Sequence, residues 1–289
     1  MNALTILDGG MGVELMARGQ STGGGLWSAQ ALLQAPETVA DIHRDYIKAG
    51  ASIIITNSYS TIPSYLAKGG MAEQYLSLTQ RAGEIARSVA DEFDGQVRVA
   101  GSLPPLDESY RFDLAPVDEE ARPVYESLVE ALSPYVDLFV CETMSCAREG
   151  RNAALAAAAS GKPFWVAWSL NDDPGRGLRS SETVREAYAA VVDLEPEAYL
   201  FNCSTPEAIS AAVSELRALT DRSLGVYPNL FHVPKDWTLD NDVSVAGREM
   251  TVEEYIALAQ DWRSQGVSII GGCCGVGPRY IEALAAMEA

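Results

Sequence analysis

Two cysteines stand side by side in the stretch IIGGCCGVGP, residues 269–278, with glycines before and after them. A third, Cys203, lies far earlier in the chain, in the motif FNCS. Three thiolates meeting at one point make a zinc site with one coordination position left open. Adjacent cysteines reach one ion only where the backbone turns sharply between them, and glycines permit angles closed to other residues. Two carboxylates stand out beside the thiols. Glu142 directly follows the apolar run Asp137–Cys141, a costly place for a charge that has neither partner nor function. Asp8 opens the triplet Asp8-Gly9-Gly10, which reads equally well as a turn capped by aspartate.

Residues so far apart converge only if the fold gathers them. Eight short, mostly apolar runs lack clean alternation, as strands covered on both faces do. They lie near Leu4–Asp8, Ser52–Thr56, Val97–Gly101, Asp137–Cys141, Phe164–Ser169, Ala198–Asn202, Leu224–Tyr227 and Val267–Ile270. Helical patterns separate them. In APETVADIHRDYIKAG, Pro36 marks a helix start, Val39, Ile42, Tyr46 and Ile47 share a face, and Gly50 ends it. The spacings Ser204…Glu207 and Thr251…Glu254 predict capping boxes. Strand–helix alternation implies a parallel sheet. Eight units in 289 residues suit a closed (β/α)8 barrel, a single domain over residues 1–289. The segments 105–120 and 171–181 read as polar loops over its mouth, and 232–248 as irregular.

Active sites of such barrels lie at the carboxyl ends of the strands. Asp8-Gly9-Gly10, Asn57-Ser58-Tyr59, Ser102, Cys141-Glu142-Thr143, Asn202-Cys203, Pro228-Asn229 and Gly272-Cys273-Cys274 all follow predicted strands. Closure then brings the three thiols over one mouth. Other readings stand beside this one. An isolated buried cysteine is a small apolar filler, and Cys141 and Cys146 are read so. A vicinal disulfide between Cys273 and Cys274 is disfavoured where thiols stay reduced. A metal-free cysteine nucleophile would want a histidine base, and neither His43 nor His232 follows a predicted strand.

Composition narrows the partners. Aspartate and glutamate total 40 against 21 lysines and arginines, a formal charge of −19. Nucleic acid and anionic membranes need a basic face, so neither is expected as a partner. The first ten residues carry no basic, apolar leader, and no apolar run approaches the ~18–20 residues of a membrane span. The expectation is a cytoplasmic protein with free or metal-bound thiols. Two decoys fall away. Tyr46 stands where the cobalamin pattern Asp-x-His-x-x-Gly needs glycine, and DNDVSV lacks the glycine and terminal glutamate of a calcium loop.

The motifs GGCCGVGP, FNCS, LDGGMGVEL, CETM and GSLPPL…SYR together resemble those of the homocysteine S-methyltransferase family, and so does the stretch LWSAQ…TNSY. The resemblance covers nearly the whole chain and is most specific at the two cysteine motifs. It implies a zinc-bearing (β/α)8 barrel that methylates the sulfur of homocysteine, giving methionine. The chain is most similar to the short members, which take the methyl from a sulfonium such as S-methylmethionine or S-adenosylmethionine. The resemblance places Cys203, Cys273 and Cys274 on zinc, Glu142 on the substrate amino group with Asp8 assisting, and Asn229 in the zinc position that substrate vacates. Backbone amides around Gly9, Gly10 and Ser102 are candidates for the carboxylate, with Asn57 among the substrate-binding residues. Aromatic faces attract onium cations, and Tyr59, Trp168 and Tyr227 are candidates for the donor. Dimethylsulfoniopropionate or betaine as donor, a selenocysteine-type acceptor and a non-catalytic zinc- or thiol-binding barrel remain as alternatives. The resemblance also allows a homo-oligomer.

Overall fold

A computed structural model describes residues 3–20, 26–230 and 250–287. All eight expected strands are present: β1 Thr5–Ile6, β2 Ile53–Ile55, β3 Arg98–Leu103, β4 Leu138–Met144, β5 Phe164–Trp168, β6 Ala198–Asn202, β7 Ser223–Tyr227 and β8 Val267–Ile270. Every pairing is parallel and sequential, and β1 lies beside β8. A parallel bridge between Leu7 and Ile53, with Ser52 N–H donating to Ile6 O and Asp8 N–H to Ile53 O, joins β1 to β2. The sheet thereby curls into a nearly closed barrel, the architecture expected from the strand–helix alternation.

Side chains alternate along each strand between two layers. Leu7, Ile53, Ala100, Leu138, Ala167 and Leu200 fill the barrel interior. Their neighbours, Val166 and Val226 among them, pack outward against the ring of helices. This explains the uniformly apolar runs, since both faces are buried.

The helices follow their local signals with one shift. Helix Pro36–Lys48 starts on Pro36 and buries Val39, Ile42, Tyr46 and Ile47. Gly50 turns the chain with φ +108°. Thr251 and Glu254 form the expected capping box of helix Val252–Ser264. The box expected at Ser204…Glu207 is absent. Thr205 caps helix Pro206–Arg217 instead, accepting from Ala208 N–H. The Ser204 hydroxyl is already committed, accepting from Leu170 N–H at 2.7 Å and bonding Asn202 O. A further box, Thr183 with Glu186, opens helix Val184–Ala189. Strand β4 also runs past Cys141 to Met144, because Glu142 and Thr143 interrupt the apolar run but not the backbone pairing. His232, DNDVSV and the segment 232–248 lie outside the described residues.

Candidate functional site

The carboxyl ends of the strands open into a cavity of about 1070 Å³. Its walls include Asp8, Glu142, Cys203, Tyr227, Cys273 and Cys274. These six thus share one concave surface, whereas Ser102 and Asn229 are buried outside its lining.

Glu142 owes its aim to an irregularity in β4. The register with β5 shifts between Cys141 and Met144, and such bulges re-aim side chains beside active sites. The Ser102 hydroxyl donates to Glu142 Oε1 at 2.5 Å, and Tyr227 OH donates to Oε2 at 3.3 Å. Burial pushes the Glu142 carboxyl up to about 7, and these two donors only partly offset it. Asp8 Oδ2 accepts from Ile55 N–H at 2.8 Å. Burial, joined by the nearby Glu142 charge, holds the Asp8 carboxyl well above its usual range, against the pull of the Ile55 amide. Two buried carboxyls resist ionising together. A ligand cation between them would restore both charges.

Across the barrel, the Cys273 thiol contacts those of both Cys203 and Cys274. These contacts foremost, and then burial, hold Cys273 protonated, while the same contact lowers Cys274. Of the flanking glycines expected to permit the turn, Gly275 has φ +90°. Gly272 serves close packing instead. A Cβ there would stand 2.1 Å from Val276 Cβ, a clash no backbone angle relieves. Cys203 itself has φ +48°, and Thr143, beside Glu142, has φ +62°. Such conformations are costly for non-glycine residues and persist only where surroundings enforce them. Asn202 does so at Thr143. Its Oδ1 accepts from Thr143 N–H at 2.8 Å and its Nδ2 donates to Thr143 Oγ1 at 2.9 Å. One amide thereby locks the ends of β4 and β6 together, fixing Glu142 and Cys203 relative to each other.

Asn229 is stitched between the thiol segments. Its N–H donates to Ser204 O, Cys273 N–H donates to Pro228 O, and Leu230 N–H to Cys274 O. Its Nδ2 donates to Tyr110 OH at 3.4 Å, whereas its Oδ1 is buried without a hydrogen-bond partner. Among the described residues no three side chains of His, Cys, Asp or Glu have the spacing of a ready-made metal cage. The donor set still fits a borderline cation. Three contacting thiols can all ionise only if a positive charge replaces their protons, and a buried oxygen without a partner lies on the segment between them.

Several expectations need correction. The Gly10 amide donates to Val276 O at 3.1 Å, and the Ser102 amide donates to Thr56 Oγ1 at 3.0 Å. Neither is available to a substrate carboxylate, which leaves Gly9 of the three. Ser102 acts through its hydroxyl, on Glu142. Trp168 is not at the mouth. It points outward and stacks on Tyr199 at 6.0 Å, because strand alternation sends Trp165 and Ala167 inward. Asn57 lines the cavity and donates to Ser28 O at 3.1 Å. Tyr59 and Tyr227 line it too. Cys141 and Cys146 are buried away from it. Sequence reading missed Tyr110, Trp27 and Arg279. The loop 105–120 signalled a mouth-covering segment but not which side chain would reach inward.

A parallel barrel whose mouth holds three thiols and two buried carboxyls defines a barrel enzyme with its chemistry at the strand ends. The sequence model described as homocysteine S-methyltransferase matches residues 5–287. The chain belongs to the homocysteine S-methyltransferase family, and it is a methyltransferase. It is 32% identical to the homocysteine S-methyltransferase of Escherichia coli, over 98% of this chain and 94% of that one. It is 28% identical to a selenocysteine Se-methyltransferase of Brassica oleracea, over 96% and 87% respectively. The crystal structure of the Escherichia coli homocysteine methyltransferase in a metallated form superposes with a TM-score of 0.82 at 29% identity, covering 99% of this chain and 96% of that one.

Proposed function

We propose that the protein transfers a methyl group from a sulfonium donor, S-methylmethionine or S-adenosylmethionine, to the thiol of homocysteine, giving methionine, with zinc held by Cys203, Cys273 and Cys274. The observation that carries this reading is the contact of the Cys273 thiol with both Cys203 and Cys274 in a cavity that also exposes Glu142 and Asp8. A passive metal store has no use for an amino-group receptor beside its thiols.

A free thiol with pKa ~8.5 is a poor nucleophile at neutral pH. Zinc, when bound, would supply the charge that keeps the substrate sulfur deprotonated. Glu142 and Asp8 receive the ammonium of homocysteine. Ser102 and Tyr227 hold Glu142 in place for it. Asn229 Oδ1, buried without a hydrogen-bond partner, would hold the open zinc position until the substrate sulfur takes it over. Apolar walls exclude water and orient the reactants, where positioning supplies much of the rate. The bond from the methyl carbon to the sulfonium sulfur breaks as the bond to homocysteine sulfur forms. The neutral thioether leaves with the electron pair, and the thiol proton passes to solvent. All five cysteines are free, which suits a cytoplasmic enzyme. A selenocysteine-type acceptor is a second reading, favoured by the Brassica oleracea relative. Dimethylsulfoniopropionate and betaine are alternative donors.

A donor panel tests the reading. Purified protein is incubated with homocysteine and each of S-methylmethionine, S-adenosylmethionine, dimethylsulfoniopropionate and betaine, with added zinc or with a chelator, and methionine is measured. Methionine from a sulfonium donor, lost with chelator and restored by zinc, is expected. Full turnover in the chelated protein contradicts the zinc assignment.

A further inference from the structure

The cavity has a side that the homocysteine machinery does not use. Glu142 lies within β4 and Asp8 follows β1. In an eight-stranded barrel β4 stands opposite β8. An acceptor with its ammonium at Glu142 and its sulfur at the thiols would span the mouth from β4 toward β8 without needing the outer rim beyond them. That rim is built from Met11, Met16, Trp27, Val252, Arg279 and Tyr280. It is mostly apolar and aromatic, and its described charged residues are Glu253 and one cation, Arg279.

Arg279 lies in the first turn of helix Pro278–Ala286, the helix that follows the Cys273-Cys274 turn. Its guanidinium sits 4.8 Å from the centre of the Tyr280 ring and donates through Nη2 to Tyr280 OH at 2.9 Å. Tyr280 is itself fixed. Its OH donates to Met250 O at 2.6 Å, and its ring packs edge-on against Tyr255 with centroids 5.5 Å apart. The guanidinium is thus held in place, and among the described residues no carboxylate pairs with it. Arg279 is exposed, and in a chain of net charge −19 it is the one cation among the described residues that line the cavity.

We propose that Arg279 binds the carboxylate of the methyl donor, so that the donor is an onium compound carrying a carboxylate, with its apolar body against Trp27, Met11 and Met16. The inference rests on the sulfonium reading above and deepens it. The planar fork of arginine matches a carboxylate, and Arg279 follows the Cys273-Cys274 turn on the β8 side, whereas Glu142 lies in β4 across the barrel. The two substrates then enter with opposite polarity: the acceptor is held by its ammonium at Glu142, the donor by its carboxylate at Arg279. Their sulfurs meet between.

Steady-state kinetics of wild type, Arg279→Lys and Arg279→Gln test it, with S-methylmethionine, S-adenosylmethionine and dimethylsulfoniopropionate as donors and trimethylsulfonium as the carboxylate-free control. In Arg279→Gln, KM for the best carboxylate donor should rise about tenfold or more. Arg279→Lys should recover part of the loss. KM for homocysteine, bound zinc and the rate with trimethylsulfonium should stay as in wild type. Unchanged donor KM in Arg279→Gln overturns the inference, as does equal loss with trimethylsulfonium. A rise in homocysteine KM alone assigns the guanidinium to the acceptor carboxylate and also overturns it. Wild type that uses none of the donors defeats the sulfonium reading itself, a result separable from the variants' behaviour.

Discussion

On the proposed reading Glu142 receives the substrate ammonium, and its environment gives it a pH signature. The free carboxyl, pushed up to about 7 by burial, is partly protonated at neutral pH. Only the ionised form attracts an ammonium. Affinity for an amino acid at this subsite should therefore fall as pH drops below about 7, by up to about tenfold per unit. Methionine, the product, lacks a thiol that titrates and isolates the effect. Calorimetric titration with methionine between pH 5 and 8 should show the decline in wild type. Glu142→Gln should bind methionine about ten- to a hundredfold more weakly at pH 8, with a flat pH profile and unchanged zinc content. Wild-type affinity in that variant would remove the amino-group role. Glu142 was legible in the sequence because a charge directly after an apolar run demands an explanation. The supporting roles of Ser102 and Tyr227 were not, since hydrogen bonds between strand ends leave no trace in local spacing.

At the level of elements, the site depends on two strand ends held in unfavourable backbone conformations. Thr143 and Cys203 both have positive φ, and the Asn202 side chain bonds Thr143 twice, past the end of β5. Asn202→Ala leaves a buried N–H unpaired, at a cost of about 1–3 kcal/mol. The expected outcome is a lower Tm together with weaker zinc retention in a chelator competition, because Cys203 and Glu142 lose their mutual register. A lower Tm with zinc retention and homocysteine KM intact would reduce Asn202 to a purely structural part. The strands themselves were readable nearly to the residue, because two-sided burial makes each run apolar. Their ends were harder. β4 continues through polar residues, and the cap of helix Pro206–Arg217 fell on Thr205 since Ser204 has partners distant in sequence. Trp168 was misassigned for a related reason: an aromatic at a strand end points in or out by register, and one residue reverses the answer.

On the scale of the whole molecule, the barrel also buries a histidine away from the site. Both His43 ring nitrogens are buried without a partner, and burial lowers its pKa to about 4. Between that value and the ~6.5 of an unfolded chain the native state binds fewer protons, so His43 makes stability fall as pH drops through this window, by about 3 kcal/mol in all. His43→Leu should remove that part of the dependence, read as a smaller loss of urea-unfolding free energy between pH 7 and 4.5 than in wild type. An identical loss in both proteins would contradict it. No described helix is long and apolar enough to cross a membrane. The central claim is that barrel closure gathers Cys203, Cys273 and Cys274 into one metal site with a place for the substrate sulfur. X-ray absorption at the zinc edge of the zinc-loaded protein, with and without homocysteine, tests it most directly. Three sulfur neighbours at about 2.3 Å plus one lighter atom, becoming four sulfurs on adding homocysteine, is the expected result. Fewer than three sulfurs, or a shell that homocysteine leaves unchanged, would contradict it.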